Sequence, residues 1–153
     1  MKIVVLKFGG TSVGTIEKIK KVTDIIIEHK KKKNKVIVVS SAMSGVTNDL
    51  IKKSKQISNN FIGSEYDVLV SSGEQVACSL IAGRLNHKGF KSRSWLGWQI
   101  PIFTNGPYTN SRIQQVNKNK LLRFLKEGGI PIITGFQGVN MNERVTTIGR
   151  GGS

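Results

Sequence analysis

The chain is short of several things, and each shortage excludes something. Cys78 is its only cysteine, so a disulfide or a cysteine-built metal site within these residues is impossible. A reducing, cytoplasmic setting is the simplest reading. Long apolar runs are missing too. The first, residues 3–6, is far too short for a signal peptide or a membrane span, and no membrane partner is expected. There are 3 prolines and no proline-rich linker, and neither a catalytic triad nor a metal-ligand cluster can be picked out. What remains is 153 residues, 38% of them hydrophobic. That is enough for one domain with a core, too little for two, and too apolar for a disordered chain.

Acidic residues are the scarcest class relative to their counterpart: 9 Asp and Glu against 24 Lys and Arg, for a formal charge of +15. Such a balance raises the case for a nucleic-acid partner, but the placement of the charges opposes it. The densest run, Lys30-Lys31-Lys32-Lys33 followed by Lys35, falls at the end of an expected helix, where cations complement the helix dipole. No aromatic side chain is interleaved there to stack on bases. The run is read as a solvated helix end, and no nucleic-acid partner is expected. Acidic residues elsewhere in a longer chain would also balance the charge.

Hydrophobic periodicity gives an alternating pattern. Residues 2–6 read as a short buried strand, and Ile16, Ile19, Val22, Ile26 and Ile27 recur at helical spacing over 15–33. A strand over 36–39 has no polar alternation, as expected of one buried on both faces. Helices are expected near 47–57, from Ser71 or Ser72 to 86, and near 114–127. Strands are expected near 92–96, 101–104 and 130–134, and the tail from 136 reads as short strands and glycine turns. Strand and helix in alternation predict an α/β fold, a mainly parallel sheet with helices on both faces. In such sheets ligands sit at the carboxyl ends of the strands.

Five clusters could carry chemistry, and four follow an expected strand. Lys7-Phe8-Gly9-Gly10-Thr11-Ser12 combines a cation with glycines that let backbone N–H groups approach an anion, with a helix N-terminus expected next. It is not a Walker A loop, because the lysine precedes the glycines. A plain strand-to-helix turn is the equal alternative. Ser40 to Asn48 (Ser-Ser-Ala-Met-Ser-Gly-Val-Thr-Asn) could bind a carboxylate or phosphate, although Thr47 could simply cap a helix. Glu74, after Ser72-Gly73, could bind an ammonium group, or could sit in a first helical turn on dipole grounds alone. Thr134-Gly135-Phe136-Gln137-Gly138 is the fourth cluster. The fifth is Thr146-Thr147-Ile148-Gly149-Arg150-Gly151-Gly152-Ser153, where Arg150 could grip a carboxylate or phosphate or lie solvated in a glycine turn. His29 and His87 read as surface residues, and Trp95 and Trp98 as core.

Together these motifs resemble the aspartate kinase branch of the amino acid kinase family. Lys7 to Val13 matches the family's opening motif, and Ser41 to Asn48 its second loop. Ser72-Gly73-Glu74, Gly97-Trp98-Gln99, Gly135-Phe136-Gln137-Gly138 and Thr146 to Ser153 follow in family order. The resemblance implies the amino acid kinase fold and ATP-dependent phosphorylation of the L-aspartate side-chain carboxylate. The product is 4-phospho-L-aspartate, on the route to lysine, threonine and methionine. By resemblance, Lys7 would be catalytic, stabilising the transferred phosphoryl group. Phe8, Gly9, Gly10 and Ser41 would lie at the ATP phosphates. Thr47, Glu74, Phe136, Arg150, Gly151, Gly152 and Ser153 would hold aspartate, Glu74 at its ammonium and Arg150 at a carboxylate. The implied cofactors are ATP and Mg2+, with no metal site made of protein alone, and a homo-oligomer is expected of the full-length protein. In the family an acidic residue follows the Arg-Gly-Gly-Ser motif at once, then the adenosine-binding half and regulatory domains. This chain ends inside the motif. The expectation is therefore residues 1–153 as the amino-acid-substrate part of a kinase domain, incomplete at the C-terminus, inactive alone and prone to self-association through uncovered apolar sheet.

Overall fold

The computed structural model describes residues 2–149. The chain opens with β1 (Ile3–Phe8), α1 (Ile16–Lys31) and β2 (Lys35–Ser40), continues through α2 (Val46–Ile57) and α3 (Ser64–His87), and reaches β3 (Ser92–Trp95). Then come β4 (Ile102–Asn105), β5 (Arg112–Val116), α4 (Asn119–Lys126), β6 (Ile130–Thr134), β7 (Gln137–Val139) and β8 (Val145–Thr147). Two sheets result. The first is wholly parallel, in the order β1-β2-β6-β3; the second runs β5-β4-β7-β8 and is mostly antiparallel.

The parallel sheet is covered on both faces, as the continuous Val/Ile runs of β2 and β6 require. On one face Val36, Val38, Ile130 and Ile132 pack against Ile19, Val22 and Ile26 of α1 and Ala77, Cys78, Ile81 and Leu85 of α3. The other face carries a smaller cluster of Trp95, Ile100, Leu121 and Ile133, roofed by α4. That roof does not extend over β1. Ile3 and Val5, on the same face as Ile37, remain 50% and 60% exposed.

α1 follows its sequence pattern. Thr15 caps it by accepting from the Lys18 N–H at 3.2 Å, its buried stripe is Ile19, Val22, Thr23 and Ile26, and His29, Lys30 and Lys31 fill the last turn. The basic run does complement a helix dipole. Three other expectations are corrected. α3 begins at Ser64, several residues before the serines that suggested its start. The Ser71 and Ser72 hydroxyls do not cap a helix but donate back to the Val68 and Leu69 carbonyls at 3.0 and 2.7 Å inside one. The segment expected as one helix near 114–127 splits into β5 and α4, because residues 112–116 pair with the free edge of β4 and tertiary pairing overrides local propensity. Trp98 is not core; it is 52% exposed.

Candidate active site

Parallel register gathers three of the clusters. Phe8 at the end of β1 pairs with Ser40 of β2, which pairs with Thr134 of β6. The loops leaving these strands start side by side: the Ser41 N–H donates to the Phe8 carbonyl at 3.0 Å and the Gly135 N–H to the Ser40 carbonyl at 3.1 Å. Beyond the strand ends lies a cavity of about 400 Å³. Gly10, Ser41, Thr47, Glu74 and Phe136 all line it, together with Ala42, Met43, Ser44, Gly45 and Asn48.

Close approach explains two of the glycines. A Cβ on Gly10 would lie 3.0 Å from the Ala42 carbonyl oxygen, tighter than ordinary contact, so its absence eases the first loop against the second. A Cβ on Gly73 would meet Val46 Cγ1 at 2.9 Å and Ala42 Cβ at 3.2 Å. Glycine in mid-helix costs about 0.5–1 kcal/mol relative to alanine. Here it lets α2 and the second loop settle onto α3 beside Glu74.

Thr47 is not the helix cap. Gly45 takes that position at φ 87°, a left-handed conformation that suits glycine, and no side chain caps the helix. Thr47 lies in the first turn of α2, and Gly45, Thr47 and Asn48 face the cavity. A helix N-terminus without a side-chain cap offers backbone N–H groups and the positive end of the dipole. Beside a threonine hydroxyl, that suits a carboxylate or phosphate.

Glu74 occupies the middle of α3, not its first turn, so the helix dipole does not account for it. It is 2% exposed, and its Oε2 accepts from the Phe136 N–H at 2.9 Å. Burial pushes its carboxyl up to about 8, and the Phe136 N–H only partly opposes that. A buried carboxylate at a cavity wall, with a single hydrogen bond to it, needs a cation or a proton. Cys78, one turn further along α3, has its thiol pushed up by burial and secondarily by Glu74, and its place is in the core.

Lys7, Phe8 and Gly9 belong to the same strand end but not to the cavity wall. Lys7 is exposed and Phe8 half-buried. Nothing would touch a Cβ on Gly9 within 4 Å. Contrary to the expectation of a helix next, the glycines do not lead straight into one. A turn closed by the Ser12 N–H on the Gly9 carbonyl at 2.9 Å intervenes before Ile16. Arg150, Gly151, Gly152 and Ser153 lie outside the described residues. The preceding strand, β8, forms a hairpin with β7 in which Gln137 pairs with Thr147. Met43 and Ser44, inside the second cluster but given no role of their own from the sequence, also line the cavity.

Comparison with known proteins identifies the family and the fold. The family model described as "Amino acid kinase family" matches residues 2–153. An aspartokinase of Geobacillus stearothermophilus is 48% identical over all of this chain and 38% of its own length. One of Rickettsia conorii is 46% identical over all of this chain and 39% of its own. The chain thus spans little more than a third of the curated relatives it matches. Among solved structures, an aspartate kinase from Synechocystis superposes with a TM-score of 0.81 and 38% identity, covering 100% of this chain and 25% of that one. Aspartokinase III of E. coli, solved with aspartate and ADP, has the same fold at a TM-score of 0.84 and 23% identity, over 99% of this chain and 44% of its own. The chain belongs to the amino acid kinase family.

Proposed function

We propose that this chain carries the acceptor end of an aspartate kinase site, at which the side-chain carboxylate of L-aspartate is phosphorylated by ATP to give 4-phospho-L-aspartate. The single observation that carries the reading is the convergence of Thr47, Glu74 and Phe136 with Gly10 and Ser41 on one cavity at the carboxyl ends of parallel strands. The aspartokinases among its relatives support the choice of acceptor.

The residues divide the work by charge. Glu74 would receive the α-ammonium group, the buried cation partner that its environment calls for. Thr47 and the uncapped end of α2 suit a carboxylate, and Phe136 shapes the pocket between them. Arg150 is the candidate for the second carboxylate, with Gly151, Gly152 and Ser153 alongside. Lys7, Phe8, Gly9, Gly10 and Ser41 supply a cation, backbone donors and a hydroxyl for the phosphates. This donor set fits phosphates. No group of three or more His, Cys, Asp or Glu among the described residues could hold a metal ion. Mg2+ bound through the nucleotide would neutralise phosphate charge beside Lys7.

An aspartate carboxylate is ionised at neutral pH and is already a nucleophile. Its oxygen bonds to the γ-phosphorus as the bond to the bridging oxygen breaks, and that electron pair leaves with ADP. No proton has to be removed, so the chain needs no general base. Catalysis rests on alignment and charge neutralisation, with Lys7 as the cation at the phosphoryl group. The full enzyme is read as a cytoplasmic homo-oligomer acting without nucleic acid or membrane. No helix among the described residues is long and apolar enough to cross a membrane.

The test is hydroxylamine trapping with the full-length gene product, ATP and Mg2+, offering aspartate, glutamate or carbamate as acceptor. Aspartyl hydroxamate from aspartate alone is expected. A product from another acceptor in preference to aspartate would sink the assignment.

A further inference from the structure

Three residues on one face of α3, Asp67, Ser71 and Glu74, stand at i, i+4 and i+7, and each is joined to the segment from Phe136 to Thr147. Glu74 accepts from the Phe136 N–H. The Ser71 carbonyl accepts from Gln137 Nε2 at 3.3 Å. Asp67 is the most heavily engaged. It is 0% exposed. Its Oδ2 accepts from the Thr147 N–H at 2.7 Å, its Oδ1 from the Thr147 hydroxyl at 3.0 Å, and both oxygens accept from the Thr109 N–H at 3.0 Å. No ion pair among the described residues includes it. A carboxylate taken out of water without a counter-ion is a poor way to fill a core.

The loop that Asp67 grips is itself held in an unfavourable conformation. Thr109 has φ 69°, a left-handed backbone that a β-branched residue rarely adopts and that persists only where its surroundings enforce it. The same loop braces the end of β8. The Ser111 N–H donates to the Thr147 carbonyl at 2.9 Å, and a Cβ on Gly149, itself at φ 77°, would come within 3.0 Å of Asn110 Oδ1. On the other side the Ile148 N–H donates to the Phe136 carbonyl at 3.1 Å. The backbone leading into Arg150 is thus fixed by Asp67, by residues 107–111 and by Phe136, the residue bonded to Glu74.

We propose that Asp67 is a positioning residue of the amino-acid site, holding the strand that leads into Arg150 in register with Glu74 on the same helix. It touches no ligand. It acts through Thr147 and so keeps β8, and through the Ile148–Phe136 bond the backbone bonded to Glu74, in place along α3. The inference rests on the reading of this cavity as an amino-acid site and assigns that site its geometric reference. Losing Asp67 therefore weakens the grip on the amino acid while leaving the phosphate end, on β1 and its loop, as it is.

The experiment is steady-state kinetics of the full-length gene product as wild type, Asp67→Asn and Thr147→Val, with aspartate and ATP varied separately. Asp67→Asn keeps the side-chain shape but turns one acceptor into a donor facing N–H groups. Thr147→Val removes only the hydroxyl bond. The aspartate KM is expected to rise about tenfold or more in the first and about threefold in the second, with the ATP KM within about twofold of wild type. Equal rises in both KM values, or an aspartate KM unchanged in Thr147→Val and in any folded Asp67→Asn, would overturn the proposal. If Asp67→Asn does not fold, Thr147→Val decides. A wild-type protein that makes no aspartyl hydroxamate overturns the underlying reading instead, and the two failures are separated by that control.

Discussion

The two ends of the candidate site are built in opposite ways. At the amino-acid end, Glu74, Asp67 and Gln137 are buried and bonded into α3 and the β7–β8 hairpin. At the phosphate end Lys7 is exposed, and a Cβ on Gly9 would meet nothing within 4 Å. β1 beside them leaves Ile3 and Val5 half uncovered. A buried polar site must be satisfied by its own fold, because every unpaired group there costs free energy. An exposed cation and an open glycine turn are satisfied by water and can wait for phosphates. The contrast teaches that an acceptor site can be largely pre-formed in this chain while its phosphate end stays open.

The largest break in that contrast should come from Glu74. Replacing it by Gln keeps an acceptor for the Phe136 N–H but removes the charge. L-Aspartate affinity should fall by about 100-fold, roughly 3 kcal/mol, as measured by calorimetry. The same variant should be more stable at alkaline pH. A carboxyl raised from 4.5 to about 8 in the folded chain favours the folded state fully below pH 4.5, and that contribution is lost as pH rises to about 8. The wild-type unfolding free energy should therefore fall between pH 5 and 8 by more than that of Glu74→Gln, a difference on the order of a few kcal/mol, read as a larger drop in melting temperature. Identical pH profiles would mean that Glu74 is ionised in the empty site. In the wild type, ammonium binding needs Glu74 ionised, so aspartate affinity should rise from pH 6 to 8 with release of a proton.

Next in size are the close-packed glycines. Gly138→Ala would place its Cβ 2.4 Å from Thr104 Cγ2 and 2.7 Å from the Ile102 carbonyl oxygen. A loss of about 3 kcal/mol in denaturant unfolding is expected. Gly73→Ala meets side-chain carbons of Val46, Ala42 and Leu50 rather than backbone atoms and should cost less, about 1–2 kcal/mol, while pushing α2 away from Glu74. Equal losses would show that the second sheet is as yielding as the α2–α3 packing. The smallest effect belongs to the exposed end. Lys7→Ala should change stability by no more than about 0.5 kcal/mol and leave aspartate binding intact.

Most of the fold was legible, and the misses share a cause. Runs of Val and Ile marked β1, β2 and β6, and the helical spacing of Ile16, Ile19, Val22, Ile26 and Ile27 marked α1, because these signals are local. The start of α3 was hidden. Its cap is Gly63, at φ 82° and with no side chain to announce it, and the sequence reading begins the helix only at Ser71 or Ser72. Reading the helix from Ser71 or Ser72 left Asp67 outside it and broke the polar stripe at Asp67, Ser71 and Glu74. β5 was missed because it owes its conformation to the edge of β4 rather than to its own residues. For the site, glycine and hydroxyl clusters pointed to Gly10, Ser41, Thr47, Glu74 and Phe136. Met43 carries no signal beyond belonging to the second loop, and Ser44 only that of one hydroxyl among several.

The most direct test of the central claim, that the amino-acid site is pre-formed in these residues, is a titration of the 153-residue chain with L-aspartate followed by its amide resonances. Saturable shifts at Phe136 and Thr47, absent in Glu74→Gln and stronger at pH 8 than at pH 6, are predicted. No saturable shift, or the same shifts in Glu74→Gln, would contradict it.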